Sequence, residues 1–313
     1  MNKNSYLIAG LFALSVLTGL IGLFRPVPDR NKNRDVDFNI SIPRAGIYEL
    51  RIFSPISYNS DSGSLLGINR GAETWINMIQ KAKEDKNVKG LLLRINSPGG
   101  TVSSSQEIYQ AMLDFRESGK KIVVSVADIC ASGAYYISLP ADAIIVNPGS
   151  LIGSIGVIMN SIEFSELMQK WGISSTTVKS GKYKDIFSSM RKPLADEKTM
   201  LQEMIDSTYN QFLDALLQGR KGKCPEAKLR AMADGRIYNG VQAVKNGLAD
   251  GVGDYSAAKK IIAELCGLDY KNLNIIRYRQ DRWQDIVESL NLRPVFGLLN
   301  SSPVPQYRYN GIH

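Results

Sequence analysis

The sequence predicts an α/β protein with an N-terminal membrane anchor. Two observations carry the fold class. Residues 88–96 and 122–126 are aliphatic, β-branched runs that read as buried strands. Between them, residues 103–118 have the length and periodicity of a helix, which gives the strand–helix–strand unit of a parallel sheet. The third observation is an uncharged stretch of 19 residues, 6–24.

In chain order, residues 1–5 are a short leader and 6–24 are long enough to cross a bilayer, which takes about 20 residues as helix. No Ala-x-Ala site follows, and Phe24-Arg25-Pro26 is a poor cleavage context, so a retained transmembrane helix is expected. Residues 25–44 read as a juxtamembrane linker. Its Arg25, Arg30, Lys32 and Arg34 suit anionic lipid head groups. Only Lys3 precedes the span, so charge alone puts the C-terminal bulk in the cytoplasm. A folded domain is expected over 45–268. Its first strand is 47–53, followed by a polar loop at 57–68 and a helix at 72–85 that carries Trp75, Ile76, Met78 and Ile79. The strand at 88–96 ends in Ser97-Pro98-Gly99-Gly100. After the strand at 122–126, a buried helix begins near Tyr135 and stops at Pro140. Further strands are expected at 143–146, 157–159 and 175–179. Helices are expected at 163–171, 196–217, 226–232, 240–246 and 256–266. The tail, 269–313, combines a strand-like piece at 275–279 with a proline-containing end. It could fold over a neighbouring site and limit access to it.

Composition excludes several functions. The net charge of +8 is spread along the chain, with no zinc spacing, arginine-rich arm or RNA-binding aromatic signature, so nucleic acid is not an expected partner. The glycine-rich stretch 147–156 lacks both the Lys-Ser/Thr ending of a phosphate loop and Gly-x-Gly-x-x-Gly spacing, which argues against a nucleotide. Cys130, Cys224 and Cys266 are odd in number and widely spaced, so neither a disulfide framework nor a metal site is indicated. The only histidine is His313, the last residue. A Ser-His-Asp triad needs a positioned imidazole, so a serine hydrolase built on this chain would need another base, and lysine is the obvious one. No cofactor is expected.

The candidate nucleophile is Ser132, in Asp128-Ile129-Cys130-Ala131-Ser132-Gly133-Ala134-Tyr135-Tyr136. It lies at a strand-to-helix junction, where free backbone N–H groups favour developing negative charge. Gly133 allows a tight turn there. Lysine has an ordinary pKa near 10.4, so about 0.04% is neutral at pH 7; a useful base needs its proton affinity lowered about a thousandfold, on the order of 4 kcal/mol, by an apolar setting. Lys182 and Lys184 both lie in Gly181-Lys182-Tyr183-Lys184-Asp185, and chemistry alone does not separate them.

Five segments then line up: 94–100, 131–138, 153–157, 180–185 and 234–250. Arg94-Ile95-Asn96-Ser97-Pro98-Gly99-Gly100, Ala131-Ser132-Gly133, Gly153-Ser154-Ile155-Gly156, Gly181-Lys182-Tyr183-Lys184-Asp185 and Asp234-Gly235-Arg236-Ile237-Tyr238 occur in this order. Together they resemble the bacterial signal peptide peptidase A family of membrane-anchored Ser/Lys proteases, in its short single-copy form. The resemblance covers 45–266 and implies a Clp protease/crotonase-like fold. It implies Ser132 as nucleophile, Lys184 as base, Ser154 as the hydroxyl that orients the lysine amine, and Gly99 and Gly133 as oxyanion-hole donors. Cys130 and Ala134 replace the Ala and Gly expected there, and both are small. The resemblance also implies ring-like homo-oligomers with the dyad completed between neighbours, and hydrophobic peptide substrates such as remnant signal peptides. It places the catalytic domain outside the cytoplasm, against the charge rule. Two alternatives stay open: a peptidase for other membrane or antimicrobial peptides, and a crotonase-type acyl-CoA enzyme, which would rely on carboxylates rather than Ser132 and Lys184.

Overall fold

The aliphatic runs form the strands they predict. In the computed structural model, which describes residues 44–58, 71–277 and 306–308, β1 (Gly46–Ile52), β2 (Val88–Ser97) and β4 (Lys121–Ala131) pair in parallel. These residues all belong to the compact unit Pro43–His313. The anchor expected at 6–24, nearly all of the linker and most of the tail lie outside the described residues.

Alternate side chains leave the sheet on opposite faces, and both faces are covered. Tyr48, Leu50, Ile52, Leu91, Leu93, Ile95, Val124 and Val126 enter the larger core. There they meet α1 (Ala72–Glu84), α2 (Val102–Glu117), α3 (Gly133–Ser138) and α5 (Ala195–Gly219). Ile47, Leu92, Val123 and Ile145 enter a smaller core with Ala258 and Ile262 of α8 (Tyr255–Leu265). Burial on both faces is why these strands read as continuous apolar runs. A parallel-dominated sheet with helices on both faces fits the Clp-protease-like α/β class.

The sheet order is β7 (Ile237–Asn239), β6 (Leu151–Gly153), β4, β2, β1 and β9 (Ile275–Ile276), with β5 (Ala143–Val146) on β4 and β8 (Gly251–Val252) on β5. Two strands share one edge of β4. Residues 123–126 pair with β5, and 129–131 pair with β6 (Leu151–Gly153). An irregularity separates the two stretches, and it coincides with a register shift against β2. Side chains satisfy the backbone there. Asn96 Oδ1 accepts from the N–H groups of Asp128 and Ile129 at 3.2 and 3.1 Å, and the Asn147 amide donates to the Val126 carbonyl at 3.0 Å. β7 (Ile237–Asn239) joins antiparallel to β6, and β9 (Ile275–Ile276) parallel to β1.

Several expectations need correction. Residues 157–159 and 175–179 form no strand. The β-branched Thr176, Thr177 and Val178 favour extended backbone, but no neighbouring strand accepts them, and Val178 is 96% exposed. The helix at 163–171 shrinks to α4 (Ser165–Lys170), which buries no residue. Of the strand-like piece at 275–279, Ile275 and Ile276 form β9, and residues 278 and 279 lie outside the described residues.

One buried charge braces the fold behind the sheet. Arg220, at the end of α5, is 1% exposed. Its guanidinium donates to both Asp250 oxygens at 2.9 and 3.1 Å and to the Gly247 carbonyl at 2.7 Å. Asp250 also accepts from the Ile144 N–H at 2.8 Å, tying α5 to β5.

Candidate active site

Ser132 is the single residue between β4 and α3. Its backbone has φ 55° and ψ −122°, a left-handed geometry that costs a non-glycine residue roughly 1–3 kcal/mol. The surroundings hold it there. Its N–H donates to the Gly153 carbonyl at 2.8 Å, and its carbonyl accepts from the Tyr136 N–H at 2.9 Å. All six residues of α3 are buried. Tyr135 donates its hydroxyl to the Leu248 carbonyl at 2.8 Å, and the Tyr136 ring packs against Tyr109 and, edge-on, Phe212. Ser132 Oγ is buried and has no hydrogen-bond partner among the described residues. An unpaired buried hydroxyl costs about 1–3 kcal/mol, a cost that packing alone gives no reason to accept.

Strand register brings the other candidates to it. Ser97 pairs with Cys130, which lays Ser97-Pro98-Gly99 beside Cys130-Ala131-Ser132. Gly99 has φ 95°, and its N–H donates to Ser97 Oγ at 3.2 Å. Gly99 begins β3 (Gly99–Thr101), which is clasped by Ile56. The Ile56 N–H donates to the Gly99 carbonyl and the Thr101 N–H to the Ile56 carbonyl, both at 2.8 Å. The approach is so close that a Cβ on Gly100 would lie 1.7 Å from the Ile56 oxygen. Gly133 opens α3, and no carbonyl of that helix can accept its N–H. Ala131 pairs with Gly153, so Ser154 leaves β6 alongside Ser132. Ser154 shares the left-handed backbone, with φ 51°, and its N–H is held by the Arg236 carbonyl at 2.8 Å. Ser132, Ser154, Gly99 and Gly133 therefore gather at one end of β4.

Lys184 is not joined to them within the chain. It is exposed, on a run of turns, and its ammonium makes no hydrogen bond to a described residue. Lys182 is committed elsewhere. Its ammonium pairs with Asp196 and lies 5.1 Å from the centre of the Tyr183 ring. The Asp196 hydrogen bond, aided by Tyr183, raises the Lys182 pKa, which is the wrong direction for a base at neutral pH. The segment bearing Lys184 is tied to Glu197 on α5, fifteen residues before Phe212, about 22 Å along the helix. The same stretch of chain exposes Ile162, Leu167, Trp171, Ile173 and Val178.

The structure adds features that the sequence did not signal. β10 (Gln306–Arg308) pairs antiparallel with β3, Arg308 opposite Gly99 and Tyr307 opposite Gly100, and it neighbours α3. Three residues beside prolines carry no readable period. Tyr238 Oη is the other buried polar atom with no partner among the described residues, and Tyr238 pairs with Ile152 on β6. Cys130 is inert despite its place two residues before Ser132. Burial pushes its thiol up to about 12 while Sγ lies 3.2 Å from Ser138 Oγ. Among the described residues, no group of His, Cys, Asp and Glu could hold a metal ion.

Comparison with known proteins finds relatives among the peptidases. The sequence model of Peptidase family S49 matches residues 114–269. An Enterococcus faecium protein, provisionally named signal peptide peptidase SppA, is 34% identical over the whole of both chains. Protease 4 of Salmonella typhi is 37% identical over 68% of this chain and 34% of its own. The chloroplastic serine protease SPPA of Arabidopsis thaliana is 32% identical over 70% of this chain and 31% of its own.

Proposed function

The chain belongs to Peptidase family S49, and on that premise we propose that this serine protease uses Ser132 as nucleophile and Lys184 as general base to cleave remnant signal peptides and similar hydrophobic peptides at a membrane. One observation carries the reading: Ser132 is held in a left-handed turn with a buried, unpaired hydroxyl, beside Ser154 and the N–H groups of Gly99 and Gly133. A neutral lysine amine takes the Ser132 proton as Oγ attacks the peptide carbonyl. The oxyanion is held by the two glycine N–H groups, each worth about 3–4 kcal/mol. Gly99 N–H exchanges Ser97 Oγ for that oxygen. The protonated lysine then gives its proton to the leaving amine, and water releases the acyl-enzyme. Ser154 steers the amine.

The dyad is completed between protomers of a homo-oligomer. An exposed Lys184, an unpaired Ser132 and exposed apolar side chains along the lysine-bearing segment support this arrangement, because a neighbour would cover the lysine and the apolar side chains and give the buried Ser132 hydroxyl its partner. Burial against that neighbour supplies the apolar setting a lysine base needs. The uncharged span at 6–24 anchors the chain, with the catalytic domain outside the cytoplasm.

Full-length protein in detergent, assayed on a fluorogenic hydrophobic peptide, tests the reading. Ser132→Ala and Lys184→Met abolish cleavage, whereas Lys182→Met retains it. Mixing the two inactive variants restores part of the activity if the dyad forms between protomers. Activity in Lys184→Met overturns the base assignment, and no recovery on mixing overturns the shared dyad.

A further inference from the structure

We propose that Asp185, Arg191 and Glu197 are positioning residues that fix the turn from which Lys184 acts, an inference that rests on Lys184 being the base. The guanidinium of Arg191 is gripped on two sides. Nε and Nη2 donate to the two Asp185 oxygens at 2.8 and 2.7 Å, and Nη1 and Nη2 to the two Glu197 oxygens at 2.8 and 2.5 Å. Glu197 is fully buried in the first turn of α5 and also accepts from the Leu194 N–H at 2.7 Å. Lys179 closes the other end, donating to Asp185 at 2.5 Å and to the Lys182 carbonyl at 2.9 Å. The chain between these anchors is compressed. The Lys184 N–H donates to the Gly181 carbonyl and the Ser188 N–H to the Asp185 carbonyl. Phe187 sits at φ 70°, a left-handed conformation that a bulky residue adopts only where its surroundings impose it.

This is more structure than an exposed turn requires. Surface ion pairs between flexible side chains contribute little, but two planar forks on one guanidinium, seated on a buried carboxylate, set direction as well as distance. The arrangement also sorts the lysines. Lys179 and Lys182 each have a carboxylate partner, while Lys184, next to the clamped Asp185, has none among the described residues. A long lysine side chain loses much rotamer freedom when it is held for reaction, so a fixed Cα leaves only the side chain to be ordered. α5 then runs from the clamp to Phe212, which packs against the Tyr136 ring of α3, the helix that follows Ser132. Within one protomer, the base is aimed by the element that supports the nucleophile.

The test compares Asp185→Asn, Arg191→Gln, Arg191→Lys and the double variant Asp185→Asn/Arg191→Gln with the parent. Full-length protein in detergent is used, and rates are corrected for folded protein by thermal melting. We expect kcat to fall about 10- to 100-fold in both neutral variants, with KM within about threefold of the parent. Arg191→Lys, which keeps the charge but not the fork, falls between them and the parent. The double variant loses much less than the product of the two single losses, because both changes disrupt one network centred on the Arg191–Asp185 pair. Parental kcat in folded Asp185→Asn and Arg191→Gln overturns the proposal, as does a loss that appears equally in KM. Lys184→Met, run alongside, separates the two readings. If it is active, the base assignment fails; if it is dead while the clamp variants are not, only the clamp fails.

Discussion

Replacing Gly100 by alanine tests how far the oxyanion site depends on the backbone around it. A Cβ there would lie 1.7 Å from the Ile56 oxygen and within 2.6 Å of the Ile56 C and N atoms. All three are backbone, so no rotamer relieves the contact. To reach even the 3.0 Å limit of real Cβ contacts, β3 must move away from Ile56 by about 1.3 Å. That movement breaks the two 2.8 Å hydrogen bonds clasping β3 and carries Gly99 with it. A donor displaced by about 1 Å no longer reaches a developing oxyanion, and loss of one such donor costs about 10²–10³ in kcat. The expected result is a kcat lower by at least about 100-fold on the fluorogenic peptide, with KM changed far less. Gly149→Ala, where a Cβ meets nothing within 4 Å, serves as the control for substitution itself. A folded Gly100→Ala protein with kcat within threefold of the parent would refute the role given to Gly99.

Three further outcomes follow from other parts of the fold. Asp250→Asn leaves Arg220 buried without its counter-charge and lowers the unfolding free energy by about 3–5 kcal/mol at pH 7, read by urea titration. Burial works to raise the Asp250 pKa, but the Arg220 guanidinium, the Lys223 ammonium and the Ile144 N–H together hold the carboxyl below its ordinary value. Its stabilisation is therefore full above the usual aspartate range near pH 4 and is lost as pH falls through the lower folded value; the gap between parent and variant should narrow on acidification and not on raising the pH. Iodoacetamide at pH 8 leaves activity intact, because the buried Cys130 thiol titrates near 12; inactivation that maps to alkylated Cys130 would contradict this. Deleting residues 303–313 removes β10 and raises the rate at which a fluorophosphonate labels Ser132 several-fold; an unchanged rate would mean that this strand does not limit access.

The long elements were legible because their patterns extend over many residues. Leu91, Leu92 and Leu93 are continuous because both faces of β2 are covered, and Trp75 and Ile79 mark the buried side of α1. Most of the two- and three-residue strands left no such trace. The place of β6 is set by β4, whose irregularity at 127–129 directs one half to β5 and the other to β6. Ser132 stood out because small residues at a strand-to-helix junction leave few roles for a hydroxyl. Its nearness to Ser154 was not legible from spacing, since it depends on the Ala131–Gly153 register. The misread strand at 175–179 fails for the complementary reason. Local preference was right, but no strand among the described residues pairs with this segment. The preference for Lys184 over Lys182 came from a motif; the structure adds that Lys182 is paired with Asp196, which spacing did not signal.

The pairing of β10 with β3 shows what the rim beside Gly99 accepts. It takes a partner through main-chain atoms, antiparallel, at a fixed offset. Such an edge discriminates by shape and polarity of the backbone, and side chains contribute only at alternate positions. A peptide bound there must arrive extended, with its own hydrogen bonds already given up. For a segment that was helical in a bilayer, binding to this edge would require unwinding first. The length of chain that can be spared from the helix, more than its sequence, would decide where such a peptide is cut.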